Sequence, residues 1–187
     1  MSKHYNWDKV FKFFNDHPHL KSTFATKYPS MFNPTKYELH PGKHRIRVSL
    51  MPQKYSDILE PNTDKIIDRI KSIKPLQKVM EVHINFSPII YEEGWLKEYE
   101  ELFKLISNEG IDVPCECIFL TYNNIQHERN SEDVNQLCWK PEIQEAKDSQ
   151  YAPDNIRYQW QLKKQMIEEF KTLYSKYFNP NNIRYIF

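Results

Sequence analysis

His44-Arg-Ile-Arg-Val-Ser-Leu50 and Val79-Met-Glu-Val-His-Ile-Asn-Phe-Ser87 are the two stretches that decide the fold. Alternate residues of a strand point to opposite faces. In the first stretch Ile46, Val48 and Leu50 share one face, and Arg45, Arg47 and Ser49 the other. In the second, Val82, Ile84 and Phe86 lie opposite Glu81, His83, Asn85 and Ser87. Parallel strands are normally buried on both faces and read as continuous apolar runs. Two wholly polar faces therefore need a cause. Either they meet water, as in an antiparallel sheet with one solvated side, or they line a polar hollow.

The neighbouring segments alternate between helix and strand patterns. Trp7, Val10, Phe11 and Phe14 mark one helix face, closed by His17-Pro18, and Ser22 to Lys27 is a short strand. Tyr28 to Gly42 holds three prolines and reads as a loop with one short helix. Pro61 opens a helix carrying Ile66, Ile67, Ile70 and Ile73, with Pro75 beyond its end. Trp95, Leu96, Tyr99, Leu102, Phe103 and Ile106 form the strongest amphipathic helix, stopped at Asn108-Glu-Gly110. Val113 to Thr121 follows as a strand, Ser131 to Leu137 as a short helix and Lys140 to Asn155 as a long polar loop. Ile156 to Trp160 is extended, Leu162 to Phe178 is a helix buried through Met166, Ile167, Phe170, Leu173 and Tyr177, and Asn182 to Phe187 is a last strand. Isoleucine-rich helices between strands favour right-handed parallel crossovers, hence an open α/β sheet or part of a β/α barrel.

The 187 residues suit a single domain, and a hydrophobic share of 40% with 14% aromatics excludes a mostly disordered chain. No apolar run approaches the ~20 residues that span a bilayer. The amino terminus has no apolar signal core and reads as cytoplasmic. A net charge of +1 excludes a surface that is basic all over, leaving only local patches. Three glycines are too few and too scattered for a phosphate-cradling loop. Cys115 and Cys117 share a strand face as small buried hydrophobes, and with Cys138 they make neither a disulfide framework nor a zinc knuckle. The seven histidines show no metal-ligand spacing.

In β/α barrels the chemistry sits at the carboxyl ends of the strands. The polar groups at those ends are Lys27, Ser49, Asn85, Ser87 and Thr121, a set able to hold a small ligand bearing a carboxylate, an amine and hydroxyls. Two basic clusters stand out. One is Lys36, Lys43, Arg45, Arg47 and Lys54, which reads as solvated surface. The other is Lys140, Lys147, Arg157, Lys163 and Lys164, interleaved with Tyr151, Tyr158 and Trp160, which sets stackable rings beside phosphate-binding cations. In an extended segment Tyr158 and Trp160 would share a face, either free for stacking or forming a partly buried rim.

Two runs carry a family resemblance. One is His83-Ile-Asn-Phe-Ser-Pro-Ile-Ile-Tyr-Glu-Glu-Gly-Trp95 with the helix after it. The other is the tail from Trp139-Lys-Pro-Glu-Ile-Gln-Glu-Ala-Lys-Asp-Ser-Gln-Tyr151 through Asn155-Ile-Arg-Tyr158 to Ile183-Arg-Tyr-Ile-Phe187. The chain resembles the spore photoproduct lyase family of radical S-adenosylmethionine enzymes, closest to its lyase-like branch, and the strands ending Thr26-Lys27 and Arg47-Val-Ser49 fit the same order. The resemblance covers residues 1–187 as a single domain matching the carboxyl-terminal half of the family's domain. It implies a partial β/α, half TIM-type barrel, mostly parallel, with helices on one face.

The resemblance also implies S-adenosylmethionine as cofactor, with Lys27 and Ser49 at the positions that hold its methionine part and Ser87 against the adenosyl part. Asn85 belongs to the same strand-end set. Arg157 and Tyr158 match a basic and aromatic pair near the mouth that takes a DNA lesion, with Lys140 and Lys147 as candidates for backbone phosphate. The family binds a [4Fe-4S] cluster through C-x-x-x-C-x-x-C, because each of three irons needs a thiolate. This sequence contains no such motif. The expectation is therefore a chain inactive alone and completed by an N-terminal half carrying the cysteines. The alternatives are a cluster-free module binding nucleic acid or a nucleotide, and a structural or interaction protein reusing the half barrel.

Overall fold

A computed structural model describes residues 6–147, 150 and 154–187. Five strands pair in one sheet: β1 (Ser22–Thr26), β2 (His44–Leu50), β3 (Glu81–Ile89), β4 (Cys115–Phe119) and β8 (Ile183–Ile186). Their spatial order is β1-β2-β3-β4-β8, and every pairing is parallel. The antiparallel alternative is thereby excluded, and the polar strand faces belong to a parallel sheet. It is an open sheet with β1 and β8 at its edges, part of a barrel rather than a closed one.

The helices are α1 (Trp7–Asp16), α2 (Gln53–Leu59), α3 (Ile66–Gln77), α4 (Trp95–Asn108), α5 (Glu132–Cys138) and α6 (Trp160–Tyr174). Ile46, Val48, Leu50, Val82, Ile84 and Phe86 are buried with Ile70, Ile73, Tyr99, Phe103 and Phe170 from α3, α4 and α6. Edge-to-face contacts of Phe103 with Phe86, Phe170 and Tyr174 lock the two long helices onto β3. Cys115 and Cys117 are buried on the same side, with the Cys115 thiol 3.6 Å from the Tyr174 hydroxyl. At the other end Trp7 and Phe11 pack on Phe24 of β1.

Several boundaries depart from the sequence reading. Pro61 does not open a helix: it lies in the turn between α2 and α3, next to Asn62 at φ 66°. Helix α2 has no strong apolar period and went unread. Pro75 lies inside α3, two residues before its end, where it removes the i→i−4 donor of the last turn. The expected strand Val113 to Thr121 breaks at Leu120, whose N–H donates to the Ile89 carbonyl, and the chain then enters a second sheet. That sheet is antiparallel, ordered β5-β7-β6, from β5 (Thr121–Asn123), β6 (Gln144–Ala146) and β7 (Asn155–Tyr158). The long polar loop thus contains a strand. Helix α6 ends at Tyr174 rather than Phe178, and the loop Tyr28 to Gly42 carries two 3₁₀ turns, Pro29–Met31 and Pro34–Lys36.

Candidate functional site

The parallel register aligns the polar side chains in rows across the strands. Arg45 faces Glu81, Arg47 faces His83, Ser49 faces Asn85, and Asn85 faces Glu116. Strand β1 ends at Thr26, paired with Val48, so Lys27 and Ser49 each follow directly on the last pair of the β1–β2 ladder. Lys27 and Ser49 accordingly line one cleft of about 590 Å³, together with Trp7, Phe24, Tyr28 and Met31. Asn85 lies in the same cross-strand row. Ser87 stands two residues further along β3, where the β3–β4 register slips between Phe86 and Ile89.

A buried ion pair frames this cleft. Arg69 and Glu60 have side chains 0% and 1% exposed and meet at 2.7 Å. Arg69 also donates through Nη1 to the Ser49 carbonyl (3.0 Å), through Nε to the Asp64 carbonyl (2.8 Å) and through Nη2 to the Ser56 and Thr63 hydroxyls. The other carboxylate oxygen of Glu60 takes Lys27 Nζ at 2.8 Å. Asp64 accepts from the N–H and the hydroxyl of Ser30, and its own N–H donates to the Lys27 carbonyl. Buried pairs of this kind add little net stability, because desolvation offsets their attraction. What this one fixes is geometry: Arg69 ties the end of β2 to the loop that holds Lys27. The charges of Lys27, Glu60 and Arg69 leave one net positive charge, suited to an anionic ligand group.

Further along the polar face, Glu81 accepts from Lys21, from Arg45 Nε (2.9 Å) and from His83 Nε2 (2.6 Å). Burial alone would raise its pKa, but these donors hold it at about 2. Arg184 only donates, so its 3.3 Å contact makes His83 Nδ1 an acceptor and assigns the Nε2–H tautomer. Burial, acting against the Glu81 hydrogen bond, holds His83 below its ordinary value. Arg184 reaches this face because it is the extra residue of a β-bulge: Ile183 pairs with Cys115, but Tyr185 pairs with Glu116. Arg47 donates to Glu116 at 3.0 Å. None of these pairings follows from local sequence; the register creates them.

The second basic cluster separates into two roles. Lys140 Nζ donates to the Tyr91 carbonyl (2.8 Å), and the Tyr158 hydroxyl accepts from the Tyr91 N–H (2.8 Å). Tyr158 is buried, with its ring edge-on to Tyr91, so it offers no face for stacking. Strand β7 ends at Tyr158 and Trp160 opens α6, so the two rings do not share a strand face as the extended reading expected. Trp160 is 61% exposed. Arg157 meets Glu145 at 3.2 Å. Lys163 is pushed down by burial and then by the positive charges of Arg157 and Lys147, which places those three cations together. Tyr151 lies outside the described residues.

Among the described residues no group of three or more His, Cys, Asp or Glu side chains could hold a metal, and Cys115, Cys117 and Cys138 are buried and free. The donor set does not fit an iron–sulfur cluster. Among the described residues no helix is long and apolar enough to cross a membrane.

The family profile described as spore photoproduct lyase matches residues 4–187. No curated protein matches the chain. A cysteine-to-alanine mutant of spore photoproduct lyase superposes with a TM-score of 0.75 at 19% identity. So do the lyase complexed with dinucleoside spore photoproduct, at 17%, and a double mutant with bound AdoMet and the same dinucleoside, at 18%. Each alignment covers 96% of this chain and 54% of the other, so the chain spans about half the length of these solved structures.

Proposed function

The chain belongs to the spore photoproduct lyase family, and from that premise we propose that it supplies the carboxyl-terminal half of a lyase-like barrel, contributing S-adenosylmethionine and DNA-lesion contacts. The observation that carries this reading is the meeting of Lys27 and Ser49 in one cleft at the carboxyl ends of parallel strands, in one row with Asn85. The residues fit the cofactor's polar end. Lys27, tethered by Glu60, presents an ammonium to a carboxylate; Ser49 adds a hydroxyl; Asn85 adds a buried carbonyl oxygen that has no hydrogen-bond partner among the described residues. Ser87 extends the row toward the remainder of the ligand. Bound there, S-adenosylmethionine would supply radical hydrogen-abstraction chemistry. This chain's own part is to bind and orient.

The cysteines do not suit a cluster, so we propose that a cluster-bearing half completes the barrel and that the present segment is inactive without it. The solved lyases with bound dinucleoside favour a nucleic-acid substrate. We assign its phosphates to Lys147 and Arg157, while Lys140 and Tyr158 act by holding the small sheet in place. A cytoplasmic setting accords with this substrate and with free thiols. The cationic group of Lys147, Arg157 and Lys163, together with the exposed ring of Trp160, also favours a second reading, a cluster-free module that binds nucleic acid.

Calorimetry with S-adenosylmethionine tests the first reading. Wild type should bind, and Lys27→Ala should weaken binding by about tenfold, the equivalent of about 1.4 kcal/mol for one charge-assisted contact. Equal affinity in the two proteins would remove Lys27 from the site.

A further inference from the structure

Helix α1 is held to the sheet by few contacts. Of its ten residues only Phe11 is fully buried, its ring lying between 5.0 and 6.2 Å from the rings of Phe24, Phe32, Tyr37 and His44. A helix of that length is marginal alone in water, so it stays helical only while docked. One polar side chain joins the docking. His44, the first residue of β2, is 0% exposed, with Nε2 2.8 Å from Asn15 Oδ1 and Nδ1 2.8 Å from Ser22 Oγ. Asn15 donates through Nδ2 to the Glu38 carbonyl (3.0 Å), which turns its acceptor oxygen to the imidazole. His44 therefore carries its proton on Nε2 and accepts from the Ser22 hydroxyl through Nδ1. One neutral ring thus joins α1, β1 and β2.

A second proton would place a charge at this junction, and the groups around it do not compensate one. From the turn before β2, His40 and Lys43 both oppose a positive ring, and burial opposes it more strongly still. Lys43 is fixed in place, its Nζ donating to the His17 carbonyl at 2.7 Å. From α1, Asn15 is neutral and Asp16 is engaged by Lys12 at 3.1 Å. From β1, Ser22 is neutral. The Glu38 carboxylate is exposed and turned to His40 at 3.5 Å. Glu81 belongs to the opposite face of the sheet, under Lys21, Arg45 and His83. Among the described residues no carboxylate meets His44. The other histidine with a contact to α1 works in the opposite sense: His17 donates from Nδ1 to the Phe13 carbonyl (2.6 Å), and its positive charge at the carboxyl end would favour the helix.

We propose that His44 is a proton-sensitive latch: neutral, it fastens α1 to β1 and β2, and protonated, it releases α1. Release also removes Trp7, which lines the 590 Å³ cleft beside Lys27 and Ser49. Acid would thereby open the wall of that cleft while the sheet behind it stays folded. The latch stands on the contacts of α1 alone, independently of what the cleft binds. Each pH unit below 6.5 favours the released helix by about tenfold, as long as the docked ring stays neutral.

Hydrogen exchange of the full chain, read by mass spectrometry and corrected for the intrinsic pH dependence of amide exchange, tests this. Between roughly pH 7.5 and pH 5.5 the protection of α1 should fall by about tenfold, while that of α4 holds. His44→Gln keeps a donor and an acceptor without a titrating ring and should remove the acid response of α1. Asn15→Asp sets a carboxylate against the ring and should reverse it, α1 then gaining protection as the pH falls. This variant carries the test if the glutamine protein does not fold. Protection of α1 that is the same at both pH values, an acid response that survives in His44→Gln, or an equal loss in α1 and α4 would overturn the latch.

Discussion

Glu81 sits under three donors, Lys21, Arg45 and His83, and its folded pKa of about 2 lies below the ordinary 4.5. The unfolded chain therefore takes the proton first. The stability this carboxylate contributes is fully present above pH 4.5 and is lost as pH falls through the interval to about 2. We expect a loss of about 2 kcal/mol across that window once solvent screening is allowed for. His44 and His83, both held below 6.5 mainly by burial, act in the same direction at higher pH. Urea midpoints measured from roughly pH 5 to pH 3 check the carboxylate term. Glu81→Gln should flatten the profile there, and an unchanged slope would mean that another group titrates. Strand parity placed Arg45, Arg47, Glu81 and His83 on one face, because a period of two is enforced wherever the other face is buried. It did not reveal their partners. Glu116 lies between two cysteines in sequence, and Arg184 reaches the face only through a bulge.

The small antiparallel sheet is the element that shapes the rim of the large one. It docks on the Tyr91 segment, which is held from both sides by the Tyr158 hydroxyl and the Lys140 ammonium. Gln144 closes the same corner, donating to the Cys138 carbonyl at 2.8 Å and accepting from the Lys140 N–H at 2.7 Å. Tyr158→Phe removes one hydrogen bond and leaves the Tyr91 N–H without its acceptor. It should cost about 1 kcal/mol in stability and speed hydrogen exchange at the Tyr91 amide. Unchanged exchange there would show that the sheet is held by other contacts. The sequence concealed this element because its strands are three and four residues long and embedded in a polar stretch. By contrast α4 was legible over its whole length, since Trp95, Tyr99, Leu102, Phe103 and Ile106 repeat at helical spacing and all are buried. Helix α2 has seven residues, of which Tyr55 and Ser56 are buried, too short a run to show a period.

The whole molecule has one apolar face filled by helices and one polar face whose cations outnumber its anions: Lys21, Arg45, Arg47 and Arg184 against Glu81 and Glu116. Among the described residues both edge strands lack an outer neighbour, and aromatic side chains stand exposed beside each, Tyr28 near β1 and Tyr185 and Phe187 at β8. Open edges of a parallel sheet are normally covered, which is the physical ground for proposing a completing half. Long-range attraction to a polyanion comes from a different region. The net charge of +1 gives the surface as a whole no pull on DNA, so any affinity must be local. Lys163 is depressed first by burial and then by the positive charges of Arg157 and Lys147, and phosphate beside the three cations would offset that second part. We therefore expect weak binding to DNA that falls steeply with salt. Arg157→Ala should lower the affinity similarly for all sequences and reduce the salt slope by about one counterion, because it deletes one phosphate contact without touching a base. Fluorescence anisotropy with a labelled duplex at several salt concentrations reads both quantities. A slope unaltered by Arg157→Ala, with affinity retained, would move the nucleic-acid contact away from the small sheet and toward the cationic side chains of the polar face.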